Sequence, residues 1–220
     1  MLGDRSNILI LLFLVFVMCP GAANALEPKM HTFTLAPEVE YYTFKETNFK
    51  EKGFLYGLAG SYTYRGELLN ENFSKVMLKA DGRIIFGRVK FDGQLFDGNQ
   101  YSIKDIKDFI GEFRGLAGYD FSVFSDTIIT PFTGLGYRYL SDNSSNNNAG
   151  YRRKSNYLYS PIGFETNTPL NKGWSAGVSA EYDFLWLGRQ ETFLSDLDPL
   201  FSDLTNDQSK GYGLKASIKI

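Results

Sequence analysis

The chain has 220 residues, with 23 Lys and Arg against 25 Asp and Glu, one histidine and one cysteine. A net charge of -2 with the basic residues dispersed argues against a nucleic-acid partner, which needs a concentrated basic face. One His and one Cys supply neither a disulfide framework nor a transition-metal ligand set.

The chain opens with Arg5, an apolar run from Ile8 to Met18, then Pro20-Gly21 and the small residues Ala22-Ala23-Asn24-Ala25. The run is too short to cross a bilayer as a helix, and Ala23-x-Ala25 precedes a polar sequence. Residues 1–25 therefore read as a cleaved signal peptide and 26–220 as one mature domain. Lipid attachment at Cys19 is disfavoured by the bulky Met18 before it and Pro20 after it. The mature domain then has no cysteine.

About eight alternating segments follow. The first, Phe33 to Phe44, sets Phe33, Leu35, Val39 and Tyr41 against Glu38 and Glu40, with Pro37 tolerated at a bulge or late start. The second, Phe54 to Arg65, sets Phe54, Tyr56, Leu58, Tyr62 and Tyr64 against Gly57, Ser61, Thr63 and Arg65. In the third, Val76 to Phe91, Leu78, Ala80, Ile84 and Phe86 oppose Lys79, Asp81 and Arg83. Near Gly87 the apolar phase flips to Val89 and Phe91, which predicts a β-bulge. The fourth runs from Phe109 to Phe121 and the fifth from Thr127 to Tyr139. The sixth, Asn156 to Thr166, is apolar at both parities. The seventh, Trp174 to Trp186, puts Val178, Tyr182 and Phe184 between two tryptophans on one face, as a strand does when it meets headgroups twice. The eighth, from Tyr212, alternates Leu214, Ala216, Ile218 and Ile220 with Lys215 and Lys219.

The polar connections Gly93 to Asp108, Ser141 to Ser155 and Gly188 to Ser209 are long. The turns at Ser125-Asp126 and from Asn167 to Gly173 are short. This sorting predicts an all-β fold: an antiparallel up-and-down transmembrane β-barrel of about eight strands, with short turns on one side and long loops on the other.

Alternation then projects a charge network into the lumen: Glu38, Glu40, Asp81, Glu112, Asp120, Glu181 and Asp183 beside Arg65, Lys79, Arg83, Arg114, Arg138, Lys215 and Lys219. An eight-stranded interior is only wide enough for side chains to fill, so these groups are expected to pair as a plug. The competing reading is a narrow gated conduit. His31, at the start of the first segment, has no catalytic partners in prospect, so neither catalysis nor a cofactor is expected. Arg152, Arg153 and Lys154 fall at the expected headgroup height, where they could contact lipopolysaccharide phosphates. Asp196, Asp198, Asp203 and Asp207, interleaved with Leu197, Leu200, Phe201 and Leu204, form a candidate cation or contact loop.

On this signal peptide, alternation, loop sorting and the terminal Gly213…Ile218-x-Ile220 pattern, the chain resembles the small outer-membrane β-barrels of Gram-negative bacteria, the OmpA/OmpX-like group. That family's terminal strand usually ends in phenylalanine; here the end is isoleucine and the glycine sits two residues early. The resemblance implies a cell-outer-membrane location, contact with outer-membrane lipid and lipopolysaccharide, and recognition of the C-terminal strand by the barrel assembly machinery. It also implies a non-enzymatic envelope protein whose surface loops serve envelope structure or surface interaction, with a narrow solute channel or carrier as the alternative.

Overall fold

The computed structural model describes residues 30–45, 49–66, 75–94, 100–123, 127–145, 150–170 and 174–219. The predicted signal peptide and the terminal Ile220 lie outside them. Ten strands form one antiparallel sheet: β1 (His31–Lys45), β2 (Phe49–Gly66), β3 (Val76–Gln94), β4 (Gln100–Tyr119), β5 (Phe121–Val123), β6 (Thr127–Asn143), β7 (Arg152–Pro169), β8 (Ser175–Phe193), β9 (Leu204–Gln208) and β10 (Tyr212–Lys219). The order β1-β2-β3-β4-β6-β7-β8-β10 is up-and-down, each long strand pairing with its neighbours in sequence.

The two short strands are continuations. β5 prolongs β4 along β6, because Gly118 faces Phe132 and Phe121 faces Ile129 in one unbroken register. β9 leads into β10 along β8 in the same way, Leu204 facing Thr192 and Tyr212 facing Phe184. The ten strands thus follow eight paths.

The sheet is not closed. Among the described residues no ladder joins β1 to β10, so both are edges, and this corrects the expectation of a closed barrel. β10 has eight residues against fifteen in β1, and a ladder between them would cover only about half of β1. The sheet is nonetheless strongly rolled. Arg65 on β2 reaches Glu165 on β7 at 2.7 Å, although four ladder steps separate those strands. A flat sheet would hold them roughly 19 Å apart at ~4.8 Å per step.

Over β1–β4 the sheet has two storeys with opposite polarity. In the lower one, Leu58, Ile84, Phe86 and Phe113 are exposed on the convex face while Glu38, Glu40, Arg83 and Glu112 are buried on the concave face. In the upper one, Lys90 is half-buried and Arg88 and Lys107 are exposed on the convex face. Beneath them Tyr42, Leu55, Ile85, Val89, Ile103, Ile106 and Ile110 form a buried apolar cluster. Ile84 is 52% exposed and its neighbour Ile85 0%.

This arrangement corrects the predicted bulge at Gly87. The β2–β3 register runs unbroken from Phe49↔Gly93 to Gly66↔Val76, and Val89 and Phe91 turn inward because the interior there is apolar. The irregularity in this region lies between β3 and β4, at Val89/Phe91, where Asp105 on β4 takes φ 62°.

Much of each predicted long loop is strand as well. β3 runs to Gln94 and β4 starts at Gln100; β6 runs to Asn143 and β7 starts at Arg152; β8 runs to Phe193 and pairs back with β9. Polar residues on the convex face erase the alternation that marks these stretches as strand. The upper edge of the convex apolar positions also climbs across the sheet, since Phe54 faces Arg88, Phe109 faces Ser141 and Tyr139 faces Asn156. Strands tilted against the axis of a rolled sheet produce such a stagger.

Candidate functional site: the charged interior

Period-two alternation on a rolled sheet sends every second side chain inward, and all fourteen lumen residues expected from the sequence meet there. Arg83 is the first hub, with Nη1 donating to Glu38 at 2.8 Å and Glu40 at 2.7 Å and Nε donating to Glu112 at 2.8 Å. Glu112 is the second. It accepts from Arg138 Nη2 at 2.6 Å, from Lys215 Nζ at 3.3 Å and from the Tyr159 hydroxyl. Arg114 donates to Asp81 at 2.7 Å and to Glu181 at 2.8 Å. Lys215 also lies 3.1 Å from Glu181 and 3.2 Å from Asp183, and Arg138 lies 3.5 Å from Asp183.

Lower down, Arg65 pairs with Asp120, which also accepts from Thr130 Oγ1 at 2.6 Å. Glu165 gathers Arg65 at 2.7 Å, Lys79 at 3.1 Å and Lys219 at 3.1 Å. Sequence reasoning missed Glu165 and Tyr159, because their segment is apolar at both parities and gives no phase. Glu165 changes the balance of the expected network from seven against seven to eight carboxylates against seven cations. Tyr159 lies over Gly136, where a Cβ would come within 2.4 Å of its ring. The paired glycine is what lets the phenol lie flat and reach Glu112 from two strand paths away.

A second cluster sits in the upper storey. Arg153 binds Glu51 and, through Nε at 3.0 Å, Asp142, while Asp108 faces Asp142 directly across the β4–β6 ladder. Arg153 therefore points inward, unlike the lipid contact expected of it. Arg152 grips Asp196 through Nε and Nη2, both at 2.8 Å, and Lys154 lies 5.2 Å over the Phe193 ring. Each residue of that predicted trio has a partner within the chain. The hydrogen bonds from Arg152 hold the Asp196 carboxyl below the usual carboxylate range.

The acidic loop after β8 is built on its own turns. Asp198 accepts from Leu200 N at 2.9 Å and Asp203 from Ser195 N at 3.0 Å. His31 is exposed at the lower rim, with Nδ1 2.8 Å from the Tyr62 hydroxyl.

Chemically, the interior is a network of paired ions with a small excess of carboxylates, and bonds such as Arg83–Glu38 and Arg65–Glu165 crosslink strands that share no backbone ladder. No family model, curated protein or solved structure matches the chain.

Proposed function

We propose that the chain is a non-enzymatic integral outer-membrane β-barrel of the OmpA/OmpX-like kind, delivered by its signal peptide, whose upper storey and loops serve envelope structure or surface interaction. The observation that carries this is the two-storey inversion. Lipid outside and a filled interior explain the lower storey, where apolar residues face out and ions face in; water outside explains the upper one, where Arg88 and Lys107 face out over an interior that is an apolar cluster beside the buried carboxylates Glu51 and Asp108. An aqueous sandwich would keep one polarity along a strand. Aromatic residues edge the convex apolar band, with Phe33, Tyr62 and Trp174 below and Phe54, Phe109, Phe184 and Trp186 above, as interfacial girdles do.

In lipid the unpaired backbone of β1 and β10 is costly, because no water reaches it, so the membrane reading requires those two edges, which share no ladder among the described residues, to be covered. The paired interior favours a plug over a conduit. Extraction and gel migration test the reading. The folded protein is expected to require detergent and to migrate differently before and after boiling, and purified protein in a planar bilayer is expected to stay silent. Recovery as a soluble monomer refutes the membrane assignment, and steady single-channel steps refute the plug.

A further inference from the structure

We propose that the convex face of β3 and β4 binds the phosphate of an anionic membrane lipid through Arg88 and Lys107, an inference that rests on the membrane reading above. Arg88 faces Lys107 across the β3–β4 ladder, and Lys52 faces Lys90 across β2–β3. Like charges directly opposite on a sheet are destabilising, so two such pairs side by side are a cost that the fold alone does not explain.

Two carboxylates temper the patch. Asp92 pairs with Lys90 and lies 4.0 Å from Lys52, and Asp105 lies 3.4 Å from Arg88. Four cations against two carboxylates leave it positive. Directly below, Phe86 faces Phe109, and both rings are exposed. A groove of about 450 Å³ joins the two levels, lined by Arg88 and Lys107, by Phe86 and Phe109, and by Asp108, whose buried side chain belongs to the inward cluster.

The chemistry selects the ligand. A guanidinium fork offers paired donors to phosphate oxygens, and an ammonium adds a point charge. The phenyl rings at the edge of the apolar band suit an acyl chain. A soluble anion would engage the cations and leave the rings bare, whereas a lipid phosphate uses both levels at once.

Native mass spectrometry of the detergent-solubilised full chain tests this with three probes: diphosphorylated lipid A, the same lipid stripped of both phosphates, and inorganic phosphate. Lipid A is expected to stay bound, with the stripped lipid and inorganic phosphate about tenfold weaker or worse. Arg88→Gln with Lys107→Gln is expected to weaken lipid A binding about 25-fold, at about fivefold per cation, and each single variant about fivefold. Lys75→Gln, at the opposite rim, is the control expected to bind as the parent does. Equal binding of the stripped lipid, or parent-like binding by the double variant, overturns the site. Inorganic phosphate binding as tightly as lipid A overturns the lipid assignment. Boiling-dependent migration of each variant is scored in parallel. A parent protein without that shift fails the membrane reading itself, whereas a shift retained with lipid A binding lost to neither substitution fails only this site.

Discussion

Replacing Arg83 with methionine is the sharpest test of the sealed interior. Arg83 is the ion-pair partner of both Glu38 and Glu40, which lie 2.8 and 2.7 Å away, while Glu112 keeps Arg138 and Lys215. Glu38 and Glu40 are 3% and 1% exposed, and each already has one oxygen without a hydrogen bond. Arg83→Met therefore strands two buried carboxylates. Breaking a buried pair by removing one partner costs about 3–5 kcal/mol. Protonation sets an upper bound: each stranded glutamate can escape by taking up a proton, at about 3.7 kcal/mol at pH 7 for a reference pKa of about 4.3, so the two together cost no more than about 7 kcal/mol. Urea unfolding in phospholipid vesicles, followed by the fluorescence of Trp174 and Trp186, measures the loss. Because the escape is protonation, the deficit is expected to shrink as pH falls toward 5, and Glu38→Gln with Glu40→Gln in the Arg83→Met background is expected to restore part of it. A variant within about 1 kcal/mol of the parent at pH 7 would mean that water fills the space around Arg83, and the plug would fail with it.

Three further outcomes follow from other parts of the molecule. Val178→Arg, on the convex face of β8, is expected to cost about 2–4 kcal/mol in vesicle unfolding; no cost would mean that lipid does not touch that face. Asp108→Asn removes one of three carboxylates around Arg153, and Asp108 Oδ1 has no hydrogen bond to lose, so stability is expected to hold or rise by about 1 kcal/mol. A clear loss in the same titration refutes that account. Asp196, held below the usual range by Arg152, contributes stability above its unfolded pKa and loses it as pH falls through the lower folded value. Asp196→Asn is accordingly expected to speed protease nicking of residues 194–203 at neutral pH, where the parent resists, and equal nicking rates would show that the contact does not hold the loop.

The strand paths and the inward residues were legible because alternation has a period of two and needs no knowledge of the partner strand. That is why Glu38, Arg83, Glu112 and Lys215 were found together although they come from four strands. What escaped was everything that depends on the surroundings changing along a strand. At Gly87 a change in which face is apolar looks, in sequence, the same as an inserted residue. Above it, polar side chains at Ser102 and Lys107 on the convex side read as loop, although the backbone continues its ladder. Glu165 and Tyr159 were hidden for a local reason, since Leu158, Tyr159, Pro161 and Ile162 blur the two faces next to the β7–β8 register shift.

The cationic collar formed by Lys52, Arg88, Lys90 and Lys107 makes insertion hard to undo. In a barrel seated as proposed, the upper storey has to cross the bilayer once, carrying these groups through hydrocarbon at about 2.5–3.5 kcal/mol each on the translocon scale. After that passage the same toll opposes retreat, so the collar works as a latch: it slows unassisted entry, and it equally slows a molecule that has entered from slipping back or turning over.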